Sequence, residues 1–349
     1  MRGFFGAWLL AFGLVAAILA RPLFADATRA VIYRDPSSAM ISFAAQEIAA
    51  ALEKSGVAVE QRPLAGAADQ PGAAAIYLEV RPDSGLKPQA YTVRAEKPST
   101  RQVESPTWRV TGGDEAGAMY GGLHLAEAVR LCRGLAGVGD ASGSPAILRR
   151  GLKFNIPLDA RTPSYDDTGD SAQGNVAEMW NFDFWRDFLD DMARHRYNTL
   201  SLWNPHPFPS MLALPKYPGV ALADVCGTTL SPVYNGGAWR DPQFVSPRVL
   251  ENLKVLKRMS MDDKIAFWRR VMKYAKDRGI GVYFITWNVI VNSVEGKHGI
   301  DARQDNPATI AYVRECVREF VLTYGDLTGI GVTAGESMTQ FPSHESKEK

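Results

Sequence analysis

The stretch Gly329-Ile330-Gly331-Val332-Thr333-Ala334-Gly335-Glu336 decides how the rest of the chain is read. Small, apolar and β-branched residues run into a glycine and then a lone carboxylate, the pattern of a buried parallel strand that delivers an acid at its C-terminal end. Such a strand needs a helix on its outer side. Residues 307–324 supply one: Ile310, Val313, Cys316, Val317, Phe320 and Val321 recur at helical spacing, with Arg314, Glu315, Arg318 and Glu319 between them. Helix, buried strand, then acid is the order of a (β/α) barrel, whose catalytic residues sit at strand C-termini. The competing reading makes Glu336 a solvated loop acid after a core strand, because a fold alone does not establish a site.

Working outward, the same unit recurs. Residues 151–158 read as a strand running into Asp159-Ala160-Arg161, and residues 182–194 as an amphipathic helix with Phe184, Trp185, Phe188, Leu189 and Met192 on its apolar side. Residues 198–203 read as a second strand, 261–278 as a helix closed by Gly279, and 280–287 as a third strand. Between 204 and 259 runs a proline-rich segment whose aromatics indicate an ordered wall or lid. The expectation is an α/β chain in which residues 148–349 form a (β/α)8 TIM-barrel domain truncated after its fourth strand, with right-handed crossovers. A sheet stopped there leaves residues 329–334 as an open edge, to be covered by a homo-oligomer or by a missing C-terminal half.

Upstream, residues 28–133 read as a small α+β accessory domain. Strands are expected at 30–33, 57–61, 74–80, 91–95 and 108–111, with one helix after Ser38 and another after Asp114. Gly117, Gly121 and Gly122 in the second helix allow close packing on a sheet. A phosphate loop at Gly112 is not indicated, because the segment lacks the Lys-Ser/Thr ending and the dinucleotide spacing. Residues 134–147, rich in Gly, Ala and Ser, read as a linker.

The bulk numbers exclude several classes of function. With 46% hydrophobic residues and a net charge of +1 over 349 residues, the chain is of globular composition and has no electrostatic footprint for nucleic acid. Cys132, Cys226 and Cys316 are odd in number and lack metal-site spacing, so they read as buried small hydrophobes. No cofactor and no metal are expected. Residues 1–27 read as a signal peptide: Arg2, an apolar run over 4–20, then Ala25-Asp26-Ala27 as a cleavage site. The protein is therefore expected to be secreted or periplasmic. An uncleaved anchor is the other reading, and no later segment is apolar enough to span a membrane.

Polar and aromatic residues gather at the expected strand ends: Lys153, Asn155, Asp159 and Arg161 on the first, Trp203, Asn204 and His206 on the second, Trp287, Asn288 and Asn292 on the third, Glu336 on the fourth. Carbohydrate sites are made from such sets, since aromatic rings stack on the C–H face of a sugar while amides, cations and carboxylates satisfy its hydroxyls or a uronate. Trp203 and Trp287 are candidate platforms, or alternatively core packing that seals a barrel mouth. His206, held among Pro205, Pro207 and Pro209, is a candidate donor or proton shuttle, or a structural loop histidine. Glu336 is the candidate general acid and Asp159 the candidate second carboxylate. Pairing of Asp159 with Arg161 is the structural alternative.

These residues carry a family resemblance. Phe43-Ala44-Ala45-Gln46-Glu47-Ile48, Tyr91-Thr92-Val93, Gly117-Ala118-Met119-Tyr120-Gly121 and the run from Gly329 to Glu336 resemble the α-glucuronidases of glycoside hydrolase family 67, and more distantly the family 20 hexosaminidases. The resemblance implies an α/β domain before a catalytic barrel, and an inverting hydrolysis that releases a uronic acid from xylan side chains with Glu336 as acid. In that family the catalytic bases lie on later barrel strands. The segments 150–157 and 203–209 depart from the family's usual text. A non-catalytic carbohydrate-binding or assembly protein, using the same aromatics without a base, is the alternative of a different class.

Overall fold

The computed structural model describes residues 27–68, 70–96, 106–162, 174–230, 247–287, 290–303 and 305–333. The expected signal peptide, apart from Ala27, and both Asn288 and Glu336 lie outside the described residues.

The N-terminal part is an α/β layer pair. β1 (Arg29–Arg34), α1 (Ala39–Lys54) and β2 (Ala58–Pro63) make a first crossover, with β1 and β2 paired in parallel. β3 (Ala74–Val80), β4 (Tyr91–Glu96), β5 (Thr107–Gly112) and β6 (Ala141–Gly143) complete a six-stranded sheet in the order β2-β1-β3-β5-β4-β6. β4 runs antiparallel to both β5 and β6. Residues 141–143, whose composition suggested only a linker, thus supply an edge strand: a short Ala-Ser-Gly run gives no periodic signal, and only pairing with β4 makes it a strand.

α1 starts where the Ser38 hydroxyl accepts the Ile41 amide at 3.3 Å. α2 (Glu115–Cys132) starts where the Asp114 carboxylate accepts the Gly117 amide at 2.7 Å. Both helices cover one face of the sheet, and the α2 glycines pack as the sequence indicated. A β-carbon on Gly117 would lie 2.3 Å from the Ala90 carbonyl oxygen, and one on Gly122 would lie 2.8 Å from the β-carbon of Ala44 on α1. On the opposite sheet face Tyr33 stacks on Tyr77, and Arg109 and Arg81 both pair with the buried carboxylate of Glu79.

The second part is a run of strand and helix units. β7 (Gly151–Asn155), α3 (Phe182–Arg194), β8 (Thr199–Trp203), short α4 (Phe208–Met211), β9 (Val225–Thr228), short α5 (Pro247–Glu251), β10 (Leu253–Lys257), α6 (Met261–Lys276), β11 (Gly281–Trp287), α7 (Pro307–Thr323) and β12 (Gly329–Thr333) follow in order. β7, β8, β11 and β12 pair in parallel with their sequence neighbours, giving an open four-stranded sheet. The four parallel strands are the four expected from the sequence, and among the described residues the sheet is open, with no closed barrel. Within the long segment after β8, β9 and β10 pair as an antiparallel ribbon that the proline-rich sequence did not signal.

Alternation along the parallel strands separates two faces. Phe154, partly buried, lies against Phe184, Trp185 and Phe188 of α3, and Leu200, Leu202, Val282 and Phe284 are buried on the same side under the helices. The intervening residues form the other face. One hydrophobic core, running from Ile32 and Ile48 through Trp185 to Phe320, joins both parts of the chain. Cys226 and Cys316 are buried as expected, whereas Cys132 is exposed, at the end of α2. Among the described residues no helix is long and apolar enough to cross a membrane, and no group of His, Cys, Asp and Glu is arranged to hold a metal ion.

Candidate functional site

The helix-free face of the parallel sheet is read off the registers. Lys153, Ser201, Tyr283 and Gly329 are aligned in one row across the four strands, and Asn155, Trp203, Ile285 and Gly331 in the next. Trp287 and Thr333 are paired beyond them, at the C-terminal ends. In-register parallel partners point the same way, so Lys153, Asn155, Trp203 and Trp287 share one face. The two glycines of β12 keep it open: a β-carbon on Gly329 would meet the Tyr283 ring at 3.0 Å, and one on Gly331 would meet the Ile285 side chain at 2.7 Å. Ser201 and Tyr283 belong to this face as well. Counting back in twos from Trp203 and Trp287 would have found them.

Lys153 is the only cation this face carries among the described strand residues, and its ammonium lies 4.1 Å from the Trp203 ring centroid. The arrangement joins an aromatic platform to a positive charge. None of the four strands contains a carboxylate within its described residues. Any acid on this face therefore comes from residues beyond the strand ends.

Asp159 and Arg161 meet each other. Asp159 is fully buried; its Oδ1 accepts from the Arg161 amide at 3.0 Å and from Arg161 Nε at 2.7 Å, and its Oδ2 from Arg161 Nη2 at 2.8 Å and the Cys226 amide at 3.0 Å. Arg161 also donates to the carbonyl of Ala223. The pair fastens the turn after β7 to β9, and both carboxylate oxygens are spent on that fastening. Lys264 lies nearby, fully buried, donating to the Leu222 carbonyl at 2.7 Å. Burial pulls its amine down to about 8. Sequence reasoning missed it, since a lysine in the first turn of an amphipathic helix gives no sign of burial.

Asn204 and His206 face inward. The Asn204 amide donates to the Ile156 carbonyl at 2.9 Å, and its oxygen accepts from the His206 backbone at 2.9 Å. The His206 ring is buried, with Nδ1 against the Asn292 carbonyl at 2.9 Å and Nε2 against the Tyr312 hydroxyl at 3.0 Å. A carbonyl can only accept, so Nδ1 carries the proton and Nε2 accepts from Tyr312. Burial lowers the imidazole to about 4, which keeps it neutral. Both residues tie the segment after β8 to β7, to the segment after β11 and to α7.

The structure thus sets Lys153, Asn155, Trp203 and Trp287 on one face of the sheet, with Trp287 itself buried, and sets Asp159, Arg161, Asn204 and His206 into the supporting frame.

No family model matches this chain, and no curated protein matches it in sequence. Solved structures do match. A GH138 enzyme targeting pectin rhamnogalacturonan II is similar with a TM-score of 0.61 at 21% identity, over 91% of this chain and 32% of that one. The GH20 β-N-acetylhexosaminidase of Streptomyces coelicolor A3(2) is similar with a TM-score of 0.52 at 12% identity, over 87% of this chain and 56% of that one. The β-hexosaminidase of Streptomyces plicatus, solved with its GlcNAc product, gives 0.51 at 12%, over 84% and 53%. The chain therefore has the fold of the matched portion of glycoside hydrolases, and it spans about a third to just over half the length of these relatives.

Proposed function

We propose that this chain supplies the α/β domain and the first strand and helix units of a secreted glycoside hydrolase that removes an acidic sugar from a polysaccharide side chain, in the manner of an α-glucuronidase. The observation that carries the reading is the single sheet face on which Lys153, Asn155, Trp203 and Trp287 gather at strand C-termini. An indole offers an apolar plane to the C–H face of a sugar, and the lysine ammonium that lies over the Trp203 ring attracts a uronate carboxylate. Glu336 follows β12 by three positions in sequence and takes the role of general acid, protonating the leaving glycosidic oxygen. Asn288, next after Trp287, serves as a hydroxyl ligand. The glycoside hydrolases of similar fold support carbohydrate as the substrate class.

The absence of a carboxylate from the described strands favours a second reading, in which the same face binds an acidic oligosaccharide without cleaving it. One experiment separates the two. The full chain is incubated with aryl α-glucuronide and aryl N-acetyl-β-glucosaminide substrates, beside Glu336→Gln. Cleavage of the uronide alone, reduced roughly 100-fold or more by Glu336→Gln, is the expected result. Binding without turnover, lost in Trp203→Ala, establishes the second reading. Cleavage of the N-acetylglucosaminide alone replaces the uronide with a hexosaminide, and a chain that neither binds nor cleaves overturns both readings.

A further inference from the structure

At the opposite end of the parallel sheet from the strand C-termini, a cavity of about 340 Å³ opens between α6 and the turn that leads from α7 into β12. Arg269, Arg270 and Lys273 line it on the helix side, and Tyr324, Gly325 and Asp326 on the turn side. The charges do not cancel. Asp326 is taken by Lys276 at 2.8 Å, and Lys273 by Asp277 at 2.5 Å. Arg269 and Arg270 have no carboxylate within ion-pair distance among the described residues, so neither of these two lining arginines is neutralised by an acid.

Both guanidinium groups are held in place before any ligand arrives. Arg269 donates from Nε to the Thr323 carbonyl at 2.8 Å, which fixes its plane and leaves its terminal nitrogens unspent. The Arg270 guanidinium carbon lies 3.4 Å from the Phe182 ring centroid, a stack that restrains the group and leaves its in-plane N–H donors at the edge. Tyr324 forms a stiff wall, buried, with its hydroxyl donating to the Met211 carbonyl at 2.7 Å. Its buried ring offers no stacking face to a sugar. What the cavity presents is donors in fork geometry and net positive charge, which match the bidentate demand of a carboxylate or a phosphate.

We propose that this cavity is an oxyanion-binding site that takes a carboxylate or phosphate group of a ligand. It lies on the helical side of the sheet, apart from the strand-end face, and stands whether or not the glycosidase reading does.

The test is calorimetric titration of the full chain at constant ionic strength with sodium phosphate, sodium galacturonate and uncharged galactose. It is run in a Lys153→Met, Trp203→Ala background, so that the strand-end face has lost both its charge and its aromatic platform. Saturable binding of phosphate, galacturonate or both, with none of galactose, is expected. Phosphate alone identifies a phosphorylated ligand and galacturonate alone an acidic sugar. Arg269→Gln combined with Arg270→Gln weakens binding at least tenfold. Should loss of the Phe182 stack unfold that variant, Arg269→Lys with Arg270→Lys keeps charge and stem while removing the forks, and still weakens binding several-fold. Non-saturable heats, or an affinity unchanged in the lysine variants, overturn the proposal.

Discussion

Glu47 on α1 and Arg194 at the end of α3 are joined by an ion pair of 2.9 Å across 147 residues of sequence. The same buried carboxylate accepts from Arg130 of α2 at 2.6 Å. Beside it Arg278 lies over the Phe43 ring and pairs with Asp190 at 2.7 Å. One carboxylate therefore ties α1, α2 and α3 together, and with them the six-stranded sheet to the parallel one. Burial alone would raise the Glu47 carboxyl, but hydrogen bonds from Arg194 and Arg130 outweigh it and hold the group below the usual range.

Glu47→Gln keeps the shape and removes the charge that both arginines face. A loss of about 2–4 kcal/mol is expected in urea unfolding at pH 7, on the scale of a buried pair broken by removing one partner. The folded group titrates below its unfolded value, so this stability is present above about pH 4.5 and is lost as pH falls through the depressed value. The Gln variant should lack that loss.

His206 gives the opposite test of pH. Its folded value of about 4 lies below the ordinary 6.5, so between those limits the unfolded chain binds the extra proton. Stability then declines as pH falls from 6.5 to 4, by about 3 kcal/mol in all. His206→Gln should be less stable at pH 7 and flatter across that window, which a series of denaturant midpoints will show.

Gly117→Ala places a β-carbon 2.3 Å from the Ala90 carbonyl oxygen and 3.2 Å from Asp114 Oδ1, the side chain that caps α2. Relief requires α2 to lift from the sheet. A cost of about 1–3 kcal/mol is expected from such overpacking, read as a lowered thermal midpoint. The control is Gly139→Ala, where a β-carbon meets nothing within 4 Å.

Lys153→Met should leave the fold intact, since the side chain belongs to an exposed residue of an edge strand. It should weaken binding of an acidic sugar about tenfold and leave a neutral analogue within twofold, the scale of one charge-assisted hydrogen bond. Trp203→Ala should weaken both ligands. Equal losses for both ligands in Lys153→Met would show that the lysine reads no charge.

Much of the fold was legible because its signals are local. The period of apolar residues marked α3 and α7, and Ser38 and Asp114 announced the starts of α1 and α2. β6 and the β9–β10 ribbon escaped because a short strand is made by its partner, not by its own text. On the site, sequence could propose that Asp159, Asn204 and His206 were polar residues at strand ends. It could not say where their oxygens and nitrogens pointed.

The sequence by itself determined the parallel strand and helix grammar and the strand-end residues, because period and turn chemistry act within a few positions of the chain. The tertiary structure decided which of those residues meet. Lys153 and Trp203 lie 50 positions apart, yet adjacent parallel strands in register bring the ammonium over the indole. Asp159 is consumed by Arg161 and by the amide of Cys226, a partner 67 positions away. Such choices rest on contacts between distant segments, and only the packed chain sets the distances that make them.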